Sequence, residues 1–197
     1  MRLKDKVAIV TGAGSGFGEG IAKRFAHEGA KVIVNDINAR GGERVAGEIA
    51  TAGGKALFVR ADVTRGGEWA GMIGAAESAF GGLDVVVNNA GWTHRKKPYL
   101  DVTEAEFDRV YSVNVKSVYL SAMHAVPVFR KRGGGAFVNI ASTAGIRPRP
   151  GLSVYNSSKA AVILLSKSMA AEFGPDRIRV NCVNPVFSPE PGLSADF

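Results

Sequence analysis

The sequence predicts a single doubly wound α/β domain built on a parallel sheet, and three observations carry this. Short runs of β-branched or apolar residues alternate with longer amphipathic stretches along the whole chain. Those runs lack polar alternation, as strands covered on both faces do. The length of 197 residues supplies one full core, and no linker, internal repeat or low-complexity tract divides it, so 1–197 reads as one domain.

The strand candidates, in order, are 7–10, 32–34, 57–59, 83–87, 137–140 and 178–183. Helical stretches near 17–29, 39–52, 66–80, 103–131 and 153–173 separate each successive pair. The first helix opens directly after a glycine-rich turn. Thr103 followed by Glu106 has the spacing of a capping box for the fourth. Pro127 is expected to kink or interrupt that helix, because proline lacks the amide proton and clashes with the preceding turn. Gly133-Gly134-Gly135 reads as a helix stop before the fifth strand. The alternation gives a parallel sheet with right-handed crossovers.

Composition sets limits on function. Hydrophobic residues make up 46% and charged residues 22%, the balance of a folded globular chain. The 25 glycines are about twice the usual share, so many tight turns or close backbone approaches are expected. The net charge is +7, but the basic residues fall in small knots: Arg95-Lys96-Lys97, Arg130-Lys131-Arg132, and Arg147 with Arg149. None interleaves with aromatics as a stacking platform would, so no nucleic acid is expected as a partner. A basic surface that draws anionic cofactors or acidic partners accounts for the same charge. The single cysteine, Cys182, allows no internal disulfide and is expected to be a small buried residue. His27, His94 and His124 lack metal-ligand spacing, so no metal is expected. No apolar run approaches the ~18 residues of a membrane span, and the first is too short for a signal peptide. No membrane partner and a cytoplasmic location follow as expectations.

The first strand runs into Thr11-Gly12-Ala13-Gly14-Ser15-Gly16-Phe17-Gly18, where Gly12, Gly16 and Gly18 fit G-x-x-x-G-x-G. Glycines there let the backbone approach a pyrophosphate, and the helix N-terminus supplies free amides and a positive dipole. Asp36 ends the second strand, where a carboxylate can accept both ribose hydroxyls of an adenosine and repel a 2′-phosphate. Arg40 follows four residues later and is weighed less heavily. The cofactor expected is NAD in preference to NADP.

Four blocks in order, namely the glycine turn, Asn88-Asn89-Ala90-Gly91, Ser142, and Tyr155-Asn156-Ser157-Ser158-Lys159, resemble the short-chain dehydrogenase/reductase family across residues 5–185. The likeness extends to its 3-oxoacyl-carrier-protein reductases and glucose 1-dehydrogenases. The resemblance implies a Rossmann fold with strand order 3-2-1-4-5-6. It implies cofactor contacts at Gly12, Ser15, Gly16, Phe17, Gly18, Asp36, Ile37, Asp62, Val63, Asn88, Ala90, Gly91, Tyr155, Lys159, Pro185 and Val186. For Asp62 and Val63 a simple strand-end turn remains open, and Asn88 is also expected to brace neighbouring strands. Ser15 stands where NADP-preferring members often have arginine, which agrees with Asp36.

The catalytic chemistry follows from the residue types as well. Tyr155 and Lys159, four positions apart, share one helix face. A phenol with a reference pKa near 10 is too weak a base at neutral pH, and a neighbouring ammonium lowers it. Tyr155 can then take a hydroxyl proton during oxidation and return it during reduction. Ser142 can hydrogen-bond the substrate oxygen. The resemblance assigns the same roles, has Lys159 also hold the nicotinamide ribose, and gives Asn114 a water in a proton relay to Lys159.

The expected activity is NAD-dependent hydride transfer between a nicotinamide and a secondary alcohol or ketone, of 3-oxoacyl or sugar/polyol type. The alternative is a nucleotide-binding protein without turnover, or an incomplete subunit. Asn184-Pro185-Val186 replaces the family's usual Asn-Pro-Gly, and residues 185–197 read as the start of a substrate loop. The resemblance implies that a C-terminal substrate-binding segment with a seventh strand is absent. It also implies a homotetramer or homodimer. Arg130 to Arg132 suit an acidic acyl carrier or a solvated helix end. Trp92, Thr93 and His94 are placed at the site mouth, and Arg147-Pro148-Arg149-Pro150 either lines the pocket or forms a surface loop.

Overall fold

The computed structural model describes residues 1–186. The expectations for 187–197, including Pro189, Glu190 and Pro191, lie outside the described residues. In chain order the elements are β1 (Val7–Thr11), α1 (Gly16–His27), β2 (Lys31–Asp36), α2 (Ala39–Thr51), β3 (Lys55–Arg60), α3 (Gly66–Phe80) and β4 (Val85–Asn88). There follow α4 (Glu104–Tyr111), a π-helical turn (Ser112–Lys116), α5 (Ser117–Arg132), β5 (Gly135–Ile140), α6 (Ser153–Phe173) and β6 (Ile178–Val183). Short 3₁₀ turns occupy Tyr99–Asp101, Thr143–Gly145 and Gly174–Asp176.

The strands form one parallel sheet in the order β3-β2-β1-β4-β5-β6, as expected, and six strands are present among the described residues. Successive side chains of β1 and β2 point to opposite faces. Ile9 and Ile33 therefore enter one apolar layer, with Trp69, Met72, Phe129 and Val162 from α3, α5 and α6. Val10, Val32 and Val34 enter the other, with Ala22, Ala26, Val45 and Ile49 from α1 and α2. Every residue of β1 is buried in consequence. The Trp69 indole, fully buried, donates to the Val63 carbonyl at 3.0 Å, which satisfies its one polar group.

Three sequence expectations need correction. The strands are not all covered on both faces: β3 contains no buried residue, and β6 alternates buried with open positions, because these two form the sheet edges among the described residues. The stretch 103–131 is not one helix. It breaks at the π-helical turn around Asn114, while α5 runs through Pro127 to Arg132. The carbonyl that Pro127 leaves without an amide belongs to the half-exposed Met123, where water can serve it. Cys182 is only partly buried, since it sits on the edge strand β6.

The capping box forms: Glu106 N donates to Thr103 Oγ1 at 3.2 Å, and Thr103 N donates to Glu106 Oε2 at 2.9 Å. Lys97 grips the same carboxylate at 2.6 and 2.7 Å and helps hold it well below the usual carboxylate range. Replacing Thr103 with alanine is expected to lower stability by about 1 kcal/mol, read as a lower urea midpoint at constant m-value. Gly133, at φ +80, ends α5 in the left-handed conformation, as predicted.

Candidate active site

The strand order reverses between β1 and β4, so their loops diverge and open a crevice at the carboxyl ends of the strands. The glycine turn forms its floor. Gly12 lies at φ +61, and a Cβ there would stand 2.9 Å from Ala90 Cα; one on Gly18 would stand 2.1 Å from the Gly12 carbonyl oxygen. Gly16 also has positive φ, at +55, and opens α1. Ser15 is the N-cap in extended conformation, and its side chain makes no cap bond. The first amides of α1 therefore lack intrahelical partners, beside exposed Phe17 and Ile37. Such a turn fits a pyrophosphate, with apolar side chains beside it for the flat groups at either end.

Several residues that build this turn escaped the sequence reading. Gly14 belongs to it: its amide donates to Asp36 Oδ2 at 2.8 Å, and a Cβ would meet that same oxygen at 2.8 Å. Asn89 Nδ2 donates to the carbonyls of Thr11 and Gly12 at 2.8 and 3.1 Å. Thr11 Oγ1 accepts the amides of Asn89 and Ala90, each at 3.0 Å. Arg44 reaches the Gly14 carbonyl at 3.2 Å and joins Glu19 and Glu48. Arg44 and Lys23 hold the Glu19 carboxyl down to about 2. The asparagine pair and the additional glycine, Gly14, were the available signals; Arg44 had none, because its contacts reach α1 and the glycine turn from α2.

Asp36 stands where predicted, and its second oxygen accepts the Asn38 amide at 2.9 Å. Arg40 is exposed on the first turn of α2. Asp62 organises its own turn: Oδ1 accepts from the Thr64 amide and hydroxyl at 2.9 and 2.8 Å, its amide donates to Glu68, and Val63 is core. The turn reading of these two positions is therefore met by their side chains.

Ser142, Tyr155 and Lys159 come together across the end of β5. Ser142 caps the 3₁₀ turn Thr143–Gly145, its Oγ accepting the Ala144 amide at 3.1 Å. Tyr155 is buried, and Ser142 stands close enough to its hydroxyl to act on the phenol. Lys159 is buried with Nζ donating to the Ile140 carbonyl at 2.9 Å, 5.7 Å from the centre of the Tyr155 ring. Burial pushes the phenol above its ordinary value, while the Ser142 hydroxyl and the Arg149 charge pull it back. The sequence reading had the Lys159 ammonium dominate and lower it. Desolvation dominates instead, the pull in the other direction comes from Ser142 and Arg149, and burial also brings the ammonium down to about 8.

Asn114 lies in the π-helical turn, which removes the difficulty of an asparagine inside a helix. Its Oδ1 accepts the Trp92 amide at 2.8 Å, and Nδ2 donates to the Trp92 carbonyl at 3.0 Å and to Ser158 Oγ at 2.9 Å. Its side chain thus splices the loop after β4 to α6. Asn88 braces the strands, donating to Ser121 Oγ and Asn139 Oδ1, both at 2.8 Å. Asn139 in turn donates to Ser166 at 2.8 Å, so a polar line crosses the sheet between α5 and α6. Gly91 follows Ala90 at the crevice. Pro185 is tied to the site by its carbonyl, which accepts the Thr143 amide at 3.1 Å, and Val186 is exposed beside it.

Thr93 and His94 are buried rather than rimming the mouth, although Trp92 is partly open and carries Arg109 4.2 Å above its ring. Arg130 and Arg132 end α5 beside the start of β5, at the opposite end of the sheet from the crevice. They pair with Asp176 and Asp84 at 2.8 and 3.3 Å, so this knot reads as a helix end and gives no support to carrier docking. Among the described residues no group of side chains has the makings of a metal site, and no helix is long and apolar enough to cross a membrane.

Comparison with known proteins bears on this arrangement. A family model described as short chain dehydrogenase matches residues 6–189. A 4-formylbenzenesulfonate dehydrogenase of Comamonas testosteroni is 52% identical over the whole chain and 78% of its own length. A 2,5-dichloro-2,5-cyclohexadiene-1,4-diol dehydrogenase of Sphingobium indicum is 41% identical over 93% of this chain and 73% of its own length. The crystal structure of a 3-ketoacyl-(acyl-carrier-protein) reductase from Brucella melitensis complexed with NADH superposes with a TM-score of 0.94 at 45% identity. The match covers 99% of this chain and 80% of that one.

Proposed function

The chain belongs to the short-chain dehydrogenase family, oxidoreductases of alcohol and carbonyl groups that use a nicotinamide cofactor, and from that premise we propose an NAD-dependent enzyme interconverting a secondary alcohol and its ketone. The observation that carries the reading is the meeting of Tyr155, Ser142 and Lys159 beside the glycine turn. The names of the relatives range from a charged aromatic aldehyde to a cyclic diol, so they do not choose one substrate.

The residues present fit the cofactor: Gly12, Gly14 and Gly18 let the turn fold tightly against its neighbours, the uncapped first amides of α1 are open to phosphates, and Asp36 offers a carboxylate to the adenosine ribose. Ser15, Phe17, Ile37, Val63, Ala90, Gly91, Pro185 and Val186 would complete the cleft, with Lys159 on the second ribose. When bound, the nicotinamide supplies the two-electron acceptor or donor. Tyr155, a phenol at neutral pH, donates its proton to the carbonyl oxygen in reduction and accepts it from the alcohol in oxidation. Ser142 hydrogen-bonds the same oxygen and stabilises charge developing there. The Asn114 side chain holds Trp92 and Ser158, so it acts in this reading as a positioning residue. The water relay through Asn114 and the homodimer or homotetramer remain part of the proposal, as does the cytoplasmic location. Exposed Tyr119, Met123 and Leu164 on α5 and α6 support self-association.

Absorbance of the reduced nicotinamide over a panel of secondary alcohols tests the reading. NAD is expected to give the higher kcat/KM. Asp36→Asn keeps an acceptor for the Gly14 amide but removes the charge, and is expected to move the NADP-to-NAD ratio upward by about tenfold. Measurable NAD binding without turnover of any alcohol overturns the enzyme reading; a clear NADP preference in the unaltered protein overturns the cofactor assignment.

A further inference from the structure

We propose that the mouth of this site holds an oxyanion subsite headed by Arg149, and that the substrate is an alcohol or carbonyl compound bearing a carboxylate or sulfonate. The inference rests on the oxidoreductase reading and names its substrate class.

Arg149 stands between Pro148 and Pro150, and each proline fixes a backbone dihedral, so little freedom is lost in presenting the side chain. Its carbonyl accepts from Asn156 Nδ2 at 2.8 Å and from the Leu152 amide at 3.4 Å. Asn156 is buried and directly follows Tyr155 on α6. The arginine backbone is therefore hung on the same helix as the phenol, in a fixed relation to it. The guanidinium extends across to the segment after β6, where Nη2 donates to the Val186 carbonyl at 3.3 Å. That bond uses one of five donors. The side chain thus links the loop before α6 to the segment after β6, and its charge acts on the Tyr155 phenol.

The neighbouring loop adds to the same field. Lys97 N donates to the Gly151 carbonyl at 3.1 Å, and a Cβ on Gly151, at φ +82, would lie 2.7 Å from Lys96 Cγ. The knot at 95–97 is thereby pressed against the Arg149 loop. Glu106 is engaged by Lys97 through both oxygens, and among the described residues no carboxylate pairs with Lys96, Arg147 or Arg149. Arg130 and Arg132, at the far end of the sheet, both have aspartate partners. A stiffly mounted guanidinium without a carboxylate, backed by further cations, matches a substrate oxyanion in shape and charge. Because its loop hangs from Asn156, the residue after Tyr155 on α6, that anion and the reacting oxygen belong to one substrate molecule, and the surrounding field speeds the encounter.

The test compares two isosteric secondary alcohols, 4-(1-hydroxyethyl)benzoate and 4-(1-hydroxyethyl)benzamide, as substrates with NAD. The carboxylate is expected to exceed the amide in kcat/KM by about tenfold or more. Arg149→Gln is expected to cut that ratio by about tenfold, and Arg149→Lys by less. A ratio taken within one variant cancels any general loss of folding or of phenol reactivity. Equal use of both alcohols by the unaltered protein, or a ratio that Arg149→Gln leaves unmoved, overturns the subsite. Binding of 4-acetylbenzoate against 4-acetylbenzamide, followed by ligand-observed NMR, decides the same question without turnover. If neither alcohol is oxidised, the wider panel of secondary alcohols decides the oxidoreductase reading, while preferential binding of the acetylbenzoate that Arg149→Gln removes still upholds the subsite and equal binding overturns it.

Discussion

Tyr155→Phe is expected to lower kcat by about 10²–10⁴-fold in either direction, the range lost with a positioned general acid or base. The phenyl ring keeps the buried volume and the packing against Ala144 and Leu152. What is lost is the proton-bearing oxygen and its interaction with the Ser142 hydroxyl. Steady-state turnover and NAD titration by fluorescence separate the two effects: kcat falls while the cofactor dissociation constant stays within a few-fold. The pH profile carries a second signature. Burial raises the phenol, so alcohol oxidation, which needs its basic form, is expected to climb with pH through the alkaline range. Ser142→Ala removes a group that lowers the phenol and is expected to displace that climb to higher pH. A kcat for Tyr155→Phe within threefold of the unaltered protein sinks the assignment.

Lys159→Met is expected to abolish most turnover and yet to stabilise the protein near neutrality. Burial lowers the ammonium from 10.5 to about 8. Below pH 8 both folded and unfolded chains hold the proton, and the folded one bears the full desolvation cost, about 3 kcal/mol. Between pH 8 and 10.5 the folded chain releases the proton while the unfolded chain keeps it, so stability rises with pH across that window. Tyr155 and Cys182, both raised by burial, act in the opposite sense at alkaline pH. Tyr155 is common to both proteins, whereas the Lys159 charge acts on the Cys182 thiol, so Lys159 and Lys159→Met are compared in a Cys182→Ala background, where the difference in denaturation free energy isolates the lysine. Urea midpoints at pH 7 and pH 10 are expected to show the variant ahead at the lower pH and that lead shrinking at the higher. A lead that does not change with pH contradicts the burial argument. The same lysine would be a poor choice for stability and a good one for chemistry, since a dry ammonium interacts more strongly with whatever approaches it.

Elements of this molecule that depend on neighbours in sequence could be read without coordinates. The glycine turn after β1, the capping box at Thr103 and the left-handed stop at Gly133 are short-range devices, and all appear where predicted. Tyr155 and Lys159 share a helix face because the helix repeat puts them there. The break in the fourth helix was misplaced because a proline is a local signal, whereas the bonds of Asn114 reach Trp92 and Ser158, distant in the chain. Gly14 lies outside the G-x-x-x-G-x-G positions, and its role comes from the Asp36 carboxylate against it, a partner 22 residues away.

The alternation of apolar runs and helices, the order of the motif blocks and the identity of the candidate proton donor were all present in the linear chain, because dihedral preference and side-chain period act over a few residues. Which strands became edges, how the Asn114 amide is spent, which cations found carboxylates and how far burial moves Tyr155 and Lys159 depended on folding. Desolvation and ion pairing are set by what surrounds a group in space, and for Arg149, whose guanidinium meets the Val186 carbonyl 37 residues away, those surroundings include a chain segment distant in sequence.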